Sequence, residues 1–590
     1  MKKLLALIPV LALVLPAAAQ AADPFGHPCT AQNGVRFCPT ATDAQRVPSW
    51  DGVPLDVDVT LPPTGDGPFP AIVMMHGWGG NKSSFESATP EGTGGANYHY
   101  NNTYFAQQGY VVLTPSARGF GRSCGAAASR TSPGCDQGWV RLADHRYEER
   151  DTQYLLGLLV DQGLVAPKKI GVTGISYGGI QSLSLARLRN SIRLPDGSFR
   201  AWRSPKGTNL KIAAAFPRWG ASDLTYSLQP NGRFLDFRDY HVGQSIEPGG
   251  VQKQSYIGVL YGAGLAFGFY APTGSSPFNA DITGWKELTD KGEPETPGVL
   301  RVGRELTGYH SFAGLKGLTG VPAPLLVQNG WTDDLFPAPE ALRVWRILRP
   351  IKQAHVAFQF GDFGHPRGAN KAAVDQALNT QGAKFFAAYL KGQGKGPRRG
   401  SVTAYTQTCP ADAPAGGPYR ASSWDKLHPG RVSFGARGTQ KVTSAGGDPA
   451  AAAAIDPISG GKPCDPIPAS RGAGTAIAQR KVGKPYTLLG LPTVRAEIRT
   501  KGRGGMIAAR LWDVSAGQQT LVSRGIYRLR DNQKGKLVFQ LFGNGWRFAR
   551  GHTAKLELVG SDPKYVRTSN FSFSVKVSKL SVELPTSGPG

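Results

Sequence analysis

A serine set among glycines is the first feature of this 590-residue chain that invites chemistry. In "KKIGVTGISYGGIQSLSLARL", Lys168 to Leu188, Ser176 has Gly174 two residues before it, Gly178 two after it and Gly179 beyond. A β-branched run leads in and a helix-forming run leads out, so the chain is expected to turn sharply from strand to helix at Ser176. A G-x-S-x-G turn of this kind lifts a hydroxyl above a sheet and aims a helix N-terminus at developing negative charge. The chemistry it suits is nucleophilic attack on a carbonyl carbon.

A serine hydroxyl is a poor nucleophile unless a base takes its proton. With such a turn the acid and the base are expected later in the chain, Asp or Glu first and then His, on loops after strands. Asp333 in "VQNGWTDDLFP" follows an apolar strand, and His365 in "GDFGHPRG" follows the strand "HVAFQF". Asp333 would fix the imidazole tautomer, and His365 would deprotonate Ser176. Asp334 is a rival acid and Asp362 a rival partner for His365; Asp333 is preferred because it stands three residues after the strand-end Gly330. His355 begins a strand and His310 falls in an insertion, which suggests structural roles. The oxyanion needs two donors. The backbone N–H groups of Tyr177, next to the nucleophile, and of Trp78, in "HGWGG", are the candidates, with His76 expected to brace that loop. Trp78, Trp219 and Trp331 are candidates for an aromatic pocket. Arg118, with Glu148 or Asp151 of "RYEERD", is expected to brace a loop against a helix. No HExxH, EF-hand loop, Walker A motif or dinucleotide fingerprint occurs, so neither cofactor nor metal is implied.

The elements that must hold these residues alternate. "VPLDVDVT" alternates like a half-buried strand, and "PAIVMMHGWGG" and "GYVVLTPSARGFG" are apolar strands that end in glycines, the second after a short helical stretch near Tyr104 to Gln108. Tyr147 to Gln162 carries leucines at helical spacing. Strand and helix keep alternating through "KKIGVTG", "LKIAAAF", "APLLVQNG", "PEALRVWRIL", "HVAFQF" and a helix from Lys371 to Leu390, which implies a mostly parallel sheet covered on both faces. From about Trp219 to Gly320 the rhythm breaks into aromatic, Gly-rich sequence, either a lid over the site or irregular packing. Beyond Ser401 short alternating runs such as "GMIAARLWDV" and "KLVFQLF" imply an antiparallel β-sandwich or jelly roll.

Composition narrows the setting. The formal charge is +26, from 67 Lys and Arg against 41 Asp and Glu. The basic residues are scattered rather than clustered with aromatics, which argues against nucleic acid; an anionic cell-surface polymer is the partner that charge suggests. "MKKLLALIPVLALVLPAAAQAAD" has the layout of a cleaved secretory signal, cut near Ala21 or Ala22, and no later run is apolar for long enough to span a bilayer. Six cysteines fall in three near pairs, Cys29 with Cys38, Cys124 with Cys135 and Cys409 with Cys464, and structural disulfides of an exported protein are expected, although six permit fifteen connectivities.

These residues together resemble the secreted X-Pro dipeptidyl-peptidase-like and cocaine-esterase-like serine hydrolases. The resemblance rests on "RGFGRSCG" followed by "EERD", on "GISYGG", "GWTDDLFP" and "GDFGHP", and on the C-terminal "GNGWRFARGHTAKLELVGSDP". It implies an α/β-hydrolase fold with an inserted helical cap, a C-terminal jelly-roll sandwich and a Ser176, Asp333, His365 triad. The expected division is a signal at 1–22, the hydrolase core at 23–220 and 321–395, the cap at 221–320 and the sandwich at 396–590. Members of the family often place a Tyr side chain where this chain has "HGWGG". No acidic residues that would grip a free N-terminal amine can be placed. The expected activity is hydrolysis of an ester or peptide bond through an acyl-enzyme, either as an X-Pro-type peptidase or as a carboxylesterase. The competing reading from another class is an inert surface- or glycan-binding protein.

Overall fold

The computed structural model describes residues 23–233, 235, 245–274 and 277–588; the expected signal at 1–22 lies outside the described residues. The first half of the core runs β1 (Thr30–Gln32), β2 (Val35–Cys38), β3 (Val57–Leu61), β4 (Phe69–Met75), α1 (Asn102–Gln107), β5 (Val111–Pro115), α2 (Glu148–Asp161), β6 (Val165–Ile175), α3 (Tyr177–Leu188) and β7 (Ile212–Arg218). In the cap a short helix at Leu224–Leu228 is followed by α4 (Gln254–Phe267), α5 (Ile282–Asp290) and α6 (Pro297–Tyr309). The core then resumes with β8 (Leu325–Gly330), α7 (Pro339–Leu348), β9 (Val356–Gly361), α8 (Ala372–Phe386), β10 (Val402–Thr406) and β11 (Gly416–Ala421).

These eleven strands form one sheet in the order β1-β2-β3-β5-β4-β6-β7-β8-β9-β10-β11. Every pairing from β5 through β10 is parallel, and antiparallel strands finish both edges. The pleat sorts side chains to two cores. Ala71, Val73 and Met75 of β4 join the leucines of α2, α3 and α7, whereas Ile72 and Met74 join Phe105 of α1 and Phe385 and Phe386 of α8. Helices therefore cover both faces, as parallel strands without a polar face require.

The C-terminal region is all antiparallel, with sheets of seven and five strands around a shared apolar core. Its last strand, Phe573–Thr586, pairs with four others. The division expected at 396 needs correction: β10 and β11 belong to the first sheet, so the sandwich begins with Gly430–Gly435. Short alternating runs read alike in either sheet, and only long-range pairing assigns them. Disulfides join Cys29 to Cys38, Cys124 to Cys135 and Cys409 to Cys464, the three expected pairs.

The turn between β6 and α3 is packed tightly against β4. A Cβ on Gly178 would lie 2.0 Å from the Met75 carbonyl oxygen, and one on Gly174 would lie 2.5 Å from the same atom. Neither backbone can give way without shifting β4 against β6. Gly178→Ala is therefore expected to destabilise the fold by about 3 kcal/mol or more. Urea unfolding of the variant beside the unsubstituted protein measures it, and a change within the scatter of surface substitutions would contradict the close packing.

Candidate active site

Ser176 occupies φ 58° and ψ −110°, a conformation a side chain adopts only when its surroundings impose it. The constraint comes from both sides: its N–H donates to the Arg218 carbonyl of β7 (2.9 Å), and its carbonyl accepts from Ile180 N–H in the first turn of α3 (3.0 Å). The hydroxyl thereby stands at the C-terminal edge of the parallel strands, where β8 and β9 also deliver their loops.

Asp333 and His365 lie in those loops. His365 Nδ1 donates to Asp333 Oδ2 (2.7 Å), which leaves Nε2 to accept from Ser176 Oγ (2.8 Å). Asp333 is fully buried, and its Oδ1 accepts from the N–H groups of Leu335 (3.0 Å) and Phe336 (2.8 Å). The carboxylate is thus fixed at both oxygens. Trp219 stacks on Phe363 and meets the His365 ring edge-on at 6.5 Å, while Phe336 meets its other side at 5.1 Å.

The rivals have other partners. Asp334 accepts two hydrogen bonds from Arg367 (2.7 and 2.9 Å). Arg524 of the sandwich lies 3.5 Å from the same carboxylate. Burial opposes ionisation of Asp334, but Arg367, Arg524 and Lys253 outweigh it and hold the carboxyl below its usual range. Its carbonyl accepts from Lys253 Nζ (2.6 Å) and from the Tyr565 hydroxyl (3.0 Å). Asp362 accepts from the Thr332 hydroxyl (2.7 Å) rather than from His365. His355 reaches the Pro397 carbonyl, and His310 reaches that of Leu142. His76 braces its loop, with Nδ1 bonded to the Gly77 carbonyl (2.7 Å) and Nε2 accepting from Ala117 N–H (2.9 Å).

The Trp78 loop borders the serine: a Cβ on Gly77 would lie 3.9 Å from Ser176 Cβ. The Trp78 indole donates to the Leu260 carbonyl of α4 (2.8 Å), and its ring packs edge-on against Phe120 and Tyr177. Tyr177 opens α3, so its N–H has no acceptor within that helix.

Above Ser176 lies an apolar pocket under the cap. Trp78, Tyr177, Tyr261, Tyr270, Trp285 and Phe336 supply its aromatic walls, and Leu142, Ile180, Leu260 and Leu306 contribute aliphatic ones. Among the described residues no carboxylate lines it, and the charged residue that does, Lys286, is paired with Asp290. Of the three expected tryptophans only Trp78 lines this pocket. Trp219 instead flanks His365, and Trp331 points into the core, stacked on Phe360 at 4.5 Å with its indole donating to the Tyr405 carbonyl. A tryptophan next to a strand end can face either way, and sequence does not say which.

Two features escaped the sequence. Lys253, at the start of α4, is buried with its ammonium on the Asp334 and Leu335 carbonyls (2.6 and 2.8 Å), and burial pulls it down to about 7. Glu148 does not join the expected brace. Arg118 pairs with Asp151 and Asp51 (2.6 and 2.8 Å), whereas Glu148 accepts from the Tyr177 hydroxyl and from the N–H groups of Arg141 (3.0 Å) and Asp144 (2.7 Å). The run "EERD" carried that signal, since Glu148 and Asp151 share one helix face and can reach different partners. Among the described residues, Asp144, Glu305 and His310 are close enough to hold a metal ion, but the Arg146 guanidinium already bridges both carboxylates.

Burial raises Glu148 to about 7 against the donors that lower it. A carboxyl raised by folding binds its proton more tightly in the native state. Its contribution to stability is full below about 4.5 and is lost as pH rises to about 7. Relative to Glu148→Gln, the unsubstituted protein should lose on the order of 3 kcal/mol across that window and change little above it. Denaturant unfolding at a series of pH values reads the difference, and parallel curves would overturn the assignment.

Comparison with known proteins places this geometry. Residues 51–191 match the model of the X-Pro dipeptidyl-peptidase (S15) family. A solved α-amino acid ester hydrolase is similar over 98% of this chain and 100% of its own, at 15% identity and a TM-score of 0.57. An aminopeptidase from a marine sediment Thaumarchaeota archaeon aligns over 98% of both chains at 14% identity and 0.57. A CocE/NonD family hydrolase from Staphylococcus aureus aligns over 94% of both at 13% and 0.55. No curated protein matches the sequence. Likeness at such identities speaks for the fold. The chain accordingly has the α/β-hydrolase fold, with the X-Pro dipeptidyl-peptidase (S15) pattern over residues 51–191.

Proposed function

We propose that the protein is an exported serine hydrolase that cleaves carboxylic esters with an uncharged, apolar acyl group. The observation that carries this reading is the hydrogen-bonded run from Ser176 through His365 to Asp333 at the floor of an apolar pocket. Ser176 Oγ attacks the acyl carbon while His365 Nε2 takes its proton, and Asp333 stabilises the imidazolium. The backbone N–H groups of Tyr177 and Trp78 receive the oxyanion. His365 returns the proton to the departing alcohol, and a water activated by the same ring then releases the acid.

The apolar walls, on which no carboxylate stands among the described residues, favour ester over X-Pro peptide cleavage. An ammonium group at the substrate's N-terminus would lose hydration there without gaining a counter-charge. Three disulfides and the leader-like N-terminus support export.

Comparing kcat/KM for a p-nitrophenyl ester and a Gly-Pro anilide tests both parts. Ester cleavage should exceed anilide cleavage by about 100-fold or more, and Ser176→Ala should lose about 10⁴-fold or more on the ester. Efficient Ser176-dependent anilide cleavage would overturn the substrate assignment. A well-folded wild-type protein that no fluorophosphonate labels would overturn the enzyme and favour the binding-protein reading.

A further inference from the structure

The cap helix α4 has two apolar sides. Its sequence, "QSYIGVLYGAGLAF", contains no charged residue over 14 positions. One side carries Ile257, Leu260 and Tyr261 into the pocket. The other presents Gly258, Val259, Gly262, Leu265 and Ala266 to solvent, at the spacing of one helical face, with Phe267 exposed at the end. Val259 is 45% exposed, Leu265 55% and Phe267 62%, and among the described residues Phe199 is the one other large hydrophobic side chain so exposed. A helix on the surface of a globular domain ordinarily turns a polar face outward. Here the outward face is apolar from Gly258 to Phe267, with Gln254 as its exposed polar side chain at the N-terminal end.

We propose that this face of α4 docks on the surface of an anionic lipid bilayer, which seats the pocket beside the membrane. Three observations select that occupant. The first is area: a 14-residue helix is about 21 Å long and about 10 Å wide, so the face offers about 200 Å², against about 800 Å² per partner in a stable protein interface. A second copy of the chain would find too little to hold, whereas a bilayer takes up a single apolar helix face without matching its shape. The second is charge. The chain carries a formal +26, which repels another copy and attracts an anionic surface. Beside α4, Arg130 donates to the Gly268 carbonyl (2.9 Å) just past the helix C-terminus. The third is continuity with the pocket. Phe267 packs 3.6 Å from the position of a Cβ on Gly79, next to Trp78, so the apolar face and the pocket wall meet at the same loop.

Co-sedimentation of the full chain with vesicles of phosphatidylglycerol and phosphatidylcholine in equal parts tests the surface without reference to hydrolysis. The protein should sediment with these vesicles, and Val259→Asp with Leu265→Asp should weaken partitioning by about tenfold or more. Both side chains face solvent outside the pocket lining, so the double variant should unfold at the same urea concentration as the unsubstituted protein. Phe267→Trp gives an independent readout, since brominated lipid should quench its fluorescence beyond the quenching seen in the unsubstituted protein. Failure to sediment would overturn the proposal, as would equal binding by the double variant, which would assign attachment to charge alone. A dimer in vesicle-free solution that the double variant dissolves would overturn it in favour of a second copy.

Discussion

Asp334 is where the hydrolase core, the cap and the sandwich meet. Its carboxylate takes Arg367 from the loop that carries His365 and has Arg524 of the sandwich beside it, while its carbonyl takes Lys253 from the cap and Tyr565 from the sandwich. All of this occurs one residue from Asp333. Breaking such a buried arrangement by removing one partner leaves a charge without its counter-charge, a far larger effect than losing a surface pair. Hydrolase core, cap and sandwich are thereby constrained by the same few atoms that fix the carboxylate facing His365. The sandwich is part of the site's support, although none of its residues lines the pocket.

On that frame the chemistry is divided between strained backbone and dry walls. The Ser176 turn holds a conformation its side chain disfavours, and the two glycines pressed on Met75 make the turn geometrically possible. The walls above it are aromatic and aliphatic. Asp333 is fully buried, so its attraction for His365 is less screened than it would be in water.

Much of this was legible in the sequence, for identifiable reasons. Ser176, Asp333 and His365 stand directly after apolar strands, and parallel strands deliver their C-terminal loops to one edge, so sequence order translated into proximity. The cysteine pairs were near in sequence and close in space. The failures share a cause as well. Trp331 and Trp219 sit in the expected loops, yet their directions depend on Phe360 and Phe363 in neighbouring segments. Strands β10 and β11 alternate as sandwich strands do, and their place in the first sheet is decided by partners far away in the chain. Glu148 stood in a recognised motif, but its acceptor role toward Tyr177 is a contact 29 residues distant.

Trp78 belongs to two structures at once. Its ring packs on Tyr177 beside the serine, and its indole N–H holds the Leu260 carbonyl on the cap helix. The roof of the pocket is therefore tied to its floor by a rigid strut rather than laid over it as a free flap. Lifting α4 away would have to break that hydrogen bond or draw the tryptophan with it. Movement of the roof is thereby coupled to the packing beside the serine.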